Sequence, residues 1–158
     1  MSTAMTTATF AVAAGCALVS GVFYAFSSFV MQGLGRLPDS QGIQAMQEIN
    51  RTAVKPAFML LFMGTAVACI ALAVWVLVRG GDGTALVVAG CALYVIGSIV
   101  LTMTVNVPMN NTVDALDPAA AASADVWRDY LGSWTAWNSA RCVASLAAAG
   151  LLVGGAVG

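Results

Sequence analysis

Polar residues in this chain are confined to short stretches between long apolar runs. No Asp, Glu, Lys or Arg occurs from Met1 to Gly35, from Pro56 to Val78, from Gly83 to Val113, or after Arg141. Each run holds one helix of about 20 residues, the length that crosses a hydrocarbon core about 30 Å thick. The pattern predicts spans near 8–31, 56–78, 84–107 and 135–157. The short alternating segments of a transmembrane β-barrel are missing. The predicted fold class is therefore all-α, a four-helix transmembrane bundle forming a single domain over residues 1–158.

The first connection has a pattern of its own. Asp39 or Ser40 can cap a helix running to about Val54, with Ile43, Met46 and Ile49 on one face and Gln44, Glu48, Arg51 and Lys55 on another. Such a helix suits the membrane interface. Gln47, Asn50 and Arg51 either reach towards the bundle or lie exposed. Pro56 fits the first turn of the second span. Pro108 lacks a backbone donor and disfavours helix at Val107, so the third span is expected to end there, with a nearby Asn capping the freed carbonyls. Residues 112–124 read as a surface connection before Ser123 or Asp125 caps the last helix.

Composition fixes the class. The chain is 60% hydrophobic and 8% charged, with mean hydropathy +0.89, whereas a soluble domain carries about a quarter charged residues. The expected surroundings are a lipid bilayer, in a multi-pass arrangement at the cell membrane. A net charge of -1 leaves no basic footprint, so nucleic acid is not an expected partner. The first apolar stretch lacks a positive flank and is too long for a cleaved signal segment, so it is expected to be retained. Connections 32–55 and 108–134 share one membrane side and carry Arg36, Arg51, Lys55 and Arg128, against Arg79 on the other. The positive-inside rule then puts those connections in the cytoplasm.

Absent residues narrow the chemistry. There is no His, which removes the ligand sets of bis-histidine haem, of two-His-one-carboxylate iron and of most copper or zinc sites. Cys16, Cys69, Cys91 and Cys142 are isolated from one another and form no CxxC pair, so they are expected to pack between helices. No metal and no cofactor is expected.

Three polar stripes remain. Ser20, Tyr24, Ser27 and Ser28 mark the end of the first span, and Tyr94, Ser98, Thr102 and Asn106 follow one another at four-residue spacing on the third. Trp127, Tyr130, Trp134, Trp137, Asn138 and Arg141 recur at three- and four-residue spacing at the start of the fourth. Alternating topology brings these ends to one side of the membrane, where polar groups turn inward. Ser and Thr there can simply join helices, and Trp127 or Trp137 can belong to an interfacial aromatic belt. Asn106, Asn138 and Arg141 at one depth instead imply a hydrated pocket or a hydrogen-bonded cluster.

Phe23 with Phe26-Ser27, Met46-Gln47-Glu48-Ile49-Asn50, Asn106-Val107-Pro108-Met109-Asn110-Asn111, and the pattern from Trp127 to Arg141 together resemble a family of four-helix membrane proteins that includes the anthrone oxygenases of aromatic polyketide pathways. The resemblance implies an oxygenase that turns an anthrone into an anthraquinone with O2, without metal or flavin. The implied partner is a lipophilic aromatic small molecule; a homo-oligomer is left open. Trp134, Trp137, Tyr130, Phe23 and Phe26 would bind the rings, with Asn50 beside them. Arg141 with Asn138, Asn106 or Asn110 would hold the enolate oxygen. Many members of the family carry His directly after the Asn of the Trp-Asn pair. Here that position is Ser139, so a mechanism using that His as base does not transfer. Asp129, Glu48 or a water are the remaining bases. The alternative function is a non-catalytic membrane module that binds a lipophilic phenol or quinone, or supports a partner protein.

Overall fold

A computed structural model describes residues 1–158. Four helices are long and apolar enough to cross a membrane: α1 (Thr3–Leu34), α3 (Pro56–Arg79), α4 (Thr84–Asp114) and α5 (Ser123–Val157). Between the first two lies α2 (Asp39–Ala53). The chain is a multi-pass membrane protein folded as an all-helical bundle, with α2 as the short helix of the first connection.

The spanning helices overrun the expected spans, because their polar ends remain helical beyond the apolar runs. The largest difference is at Pro108, where α4 continues to Asp114 instead of stopping. The turns from Thr102 to Asn106 are π-helical, and the Val107 N–H bonds the Thr102 carbonyl five residues back. A ladder already shifted to this wider register tolerates the donor that proline lacks. The Asn residues after it are therefore not needed as caps. Ser123 does not cap α5 either; its hydroxyl donates to the Asp117 carbonyl at 2.7 Å.

Two apolar clusters hold the bundle. Near the chain termini, Cys16, Val19, Leu72, Val87 and Leu152 interlock from all four spans. Cys16 and Cys69 meet there at 4.0 Å between sulfurs, as buried packing residues. Backbones approach closely at the α3–α4 turn: Gly83 has φ 77°, and a Cβ on it would lie 2.1 Å from the Gly155 carbonyl. Only glycine fits both demands.

At the other end, α2 lays Ile43 and Met46 against Val113, Trp127 and Tyr130. Trp127 is fully buried there and takes no part in an aromatic belt, because α2 covers it: a Cβ at Gly42 would come within 2.9 Å of its ring. Gln47 donates at 3.0 Å to the carbonyls of Val113 and Leu116. It thereby ties α2 to the turn that ends α4. An ion pair of Arg128 with Asp39 (2.8 Å) fastens the start of α2 to α5, and Asp125 within α5 holds the same guanidinium at 3.0 Å.

Candidate functional site

The antiparallel pair α4 and α5 sets the register of the site. Ser98 meets Ser145 at 2.5 Å, Thr102 meets Arg141 at 2.9 Å, and Asn110 meets Trp134 at 2.8 Å. The same register brings Asn106 level with Asn138. Spacing of four residues drifts by about 40° per step on a regular α-helix. The π-helical stretches Val95–Val100 and Thr102–Asn106 counter that drift. Tyr94, Ser98 and Asn106 consequently all lie buried on one face.

Arg141 is the centre. It is 5% exposed, and its guanidinium donates to Thr102 Oγ1 at 2.9 Å and Asn138 Oδ1 at 2.8 Å. Its Cζ lies 4.2 Å from the centroid of the Phe23 ring and 5.5 Å from that of Trp134. The ion pairs of the chain lie elsewhere, so no carboxylate compensates this cation. Its Nε has no hydrogen-bond partner. A buried charge left in this state strongly favours an anionic or strongly accepting partner.

Asn138 anchors the cluster to α1. Its Nδ2 donates at 2.7 Å both to the Phe23 carbonyl and to Ser27 Oγ. Ser139 also donates to Ser27 Oγ, at 2.9 Å. These bonds fall where the turns of α1 widen, over Phe26–Val30. A polar side chain bonded into a helix backbone is a common companion of such irregularity.

Beside the cation is a cavity of about 580 Å³, within the range of small-molecule sites. Arg141, Asn138 and Thr102 form its polar end; Phe23, Phe26, Phe58, Phe62 and Trp134 form much of its walls. Phe58 and Phe62 stack 5.5 Å apart, nearly parallel at 9°. Asn110 and Asn50 supply further polar groups. Val54 and Met103, 71% and 55% exposed, frame the mouth between the start of α3 and the second half of α4.

Of the residues singled out from sequence, Arg141, Asn138, Asn110, Trp134, Phe23, Phe26 and Asn50 line this cavity. Three stand apart. Asn106 is buried just behind the wall, and neither polar atom of its side chain has a partner. Tyr130 lies behind Asn110 and donates to its Oδ1 at 2.9 Å. Trp137 is 45% exposed on the outside of α5. Tyr24 of the first stripe also faces out, at 65% exposure. Both carboxylates considered as bases are on the surface: Glu48 pairs with Arg51, and Asp129 is exposed. Sequence reasoning missed the walls from α3, Phe58 and Phe62 above all, because apolar residues in an apolar span carry no contrast.

Fold and cavity together define a multi-pass membrane protein with an internal apolar cavity closed at one end by a buried cation. Residues 58–151, more than half of the chain, match the family model described as anthrone oxygenase, and the chain belongs to that family. No curated protein and no solved structure matches it.

Proposed function

We propose that this protein oxidises a planar, lipophilic anthrone or related phenol to a quinone with O2, inside the cavity between α1, α3, α4 and α5. The observation that carries this is the buried Arg141, without a carboxylate, at the head of an aromatic-walled cavity. Family membership supports the reaction type.

An anthrone loses a proton from its methylene carbon to give an enolate. Arg141 would bind the enolate oxygen, with Asn138 holding the guanidinium in place, and so favour ionisation of the bound substrate. No Asp or Glu lines the cavity, so the proton passes to water. The enolate then reduces O2 and forms a carbon–oxygen bond at the former methylene. Cleavage of the O–O bond leaves the second carbonyl, and one oxygen atom departs with both methylene hydrogens as water. The substrate supplies every electron. Phe23, Phe26 and Trp134 would hold the rings flat during these steps. By the positive-inside rule, connections 32–55 and 108–134 face the cytoplasm and the bundle sits in the cell membrane.

The same absence of an acidic side chain favours a second reading, a module that binds a lipophilic phenol or quinone without turnover. Protein in detergent, supplied with an anthrone and O2, separates the two. The oxygenase consumes O2 and forms quinone, and Arg141→Ala slows it by about 10²–10³-fold, the range for loss of an oxyanion donor. Binding alone gives ligand-dependent quenching of Trp fluorescence with quinone forming no faster than in buffer. Equal rates for the wild type and Arg141→Ala would rule out the mechanism.

A further inference from the structure

We infer that Asn110 is a catalytic residue that reads a second oxygen: its Nδ2 donates to the oxygen arriving on the ring carbon opposite the one whose oxygen Arg141 holds. Tyr130 and Trp134 are its positioning residues. This rests on the oxygenase reading above and extends it to the other end of the substrate.

Three observations support it. An indole N–H can only donate, so the Asn110 atom 2.8 Å from Trp134 Nε1 is the amide oxygen. The Tyr130 hydroxyl donates to the same oxygen at 2.9 Å. Two donors on one acceptor fix which way the amide faces. Its NH2 group donates to no other group of the protein and belongs to a residue that lines the cavity.

Spacing supplies the third. Thr102, which marks the level of the guanidinium, and Asn110 stand eight residues apart on α4 and both line the cavity, so the amide and the guanidinium meet a bound ligand at different levels. With the enolate oxygen at Arg141, the reacting carbon points towards Asn110. The donor then meets the oxygen as the new C–O bond forms, the O–O bond breaks, the carbon is oxidised and O2 is reduced to carbonyl oxygen and water. Tyr130, which the family resemblance implied as a ring-binding residue, acts here through Asn110, and Trp134 does so in addition to walling the cavity.

The test compares affinity for anthrone, with one ring oxygen, and for anthraquinone, with two, alongside kcat and KM. Asn110→Asp keeps the acceptor for Tyr130 and Trp134 and removes the donor. Asn110→Ala removes the donor without adding charge. Both should weaken anthraquinone binding about 10-fold, change anthrone binding less than about 2-fold, and lower kcat about 100-fold with little change in KM. Tyr130→Phe should move the same affinity ratio in the same direction by less. An unchanged quinone-to-anthrone ratio in both Asn110 variants, or equal loss for both ligands, overturns the assignment. Failure of the wild type to turn over anthrone counts instead against the oxygenase reading, and the affinity ratio then still decides whether Asn110 reads the second oxygen.

Discussion

The guanidinium carbon of Arg141 lies 4.2 Å from the centroid of the Phe23 ring, so an aromatic face, and not a carboxylate, covers the buried cation. A ring quadrupole stabilises a desolvated cation by about 2 kcal/mol. That is less than the several kcal/mol that desolvation costs. The remainder is available as affinity for an incoming anion.

Arg141→Met should then leave thermal stability in detergent near the wild-type value, since removing an uncompensated buried charge offsets the loss of about 1–3 kcal/mol where Asn138 Oδ1 is left without a donor. Turnover should fall by about 10²–10³-fold in the same variant. A melting temperature many degrees lower would mean that the cation holds the bundle together instead.

The cavity offers no acidic side chain, so the pH dependence of turnover should follow the substrate. Arg141 favours the enolate, which lowers the apparent pKa of the bound enol; activity rises with pH through that value and then levels. Removing the cation raises the apparent pKa, by about 1–3 units. The rise should therefore move to higher pH in Arg141→Ala. A bell-shaped profile at the same position in both proteins would instead reveal a titrating pair on the protein.

Gly42→Val should push α2 off Trp127, because a Cβ already comes within 2.9 Å of the ring. Overpacking of this kind costs about 1–3 kcal/mol. Met46, Ile49 and Asn50 move with the helix, and all three line the cavity. Ligand affinity should fall and Trp emission should shift to longer wavelength. Wild-type binding in this variant would separate α2 from the site.

Gly90→Val tests the α4–α5 contact that sets the register. Its Cβ would sit 2.9 Å from the Ala148 carbonyl and 3.0 Å from Leu152, so a loss of about 1–3 kcal/mol is expected by denaturant unfolding. A change below about 0.5 kcal/mol would show that the helices part without penalty.

Much of this was legible because lipid forces polar groups inward. The charge-free runs gave the four helices, and the spacing from Trp127 to Arg141 gave the face that carries Trp134, Asn138 and Arg141. The continuation of α4 through Pro108 was not legible, since local rules end a helix there and the wider turns that precede the proline leave no mark in the residue pattern. Trp127 and Trp137 look alike in sequence. One is fully buried beneath α2 and the other 45% exposed, and only the docking of α2 distinguishes them. Phe58 and Phe62 were hidden for the opposite reason: in a helix that is apolar all round, the ligand-facing side has the same composition as the lipid-facing one.

The mouth framed by Val54 and Met103 has a consequence for supply. Met103 falls within an apolar span and is 55% exposed, and on the proposed function a lipid-soluble substrate enters there from the acyl chains. For an occupant that dissolves in lipid, the governing concentration is its mole fraction in the membrane. Adding inert lipid at constant total amount should deplete the cavity as effectively as withdrawing substrate. Attaching a sugar or sulfate to the same ring system should abolish access even when the ring itself still fits.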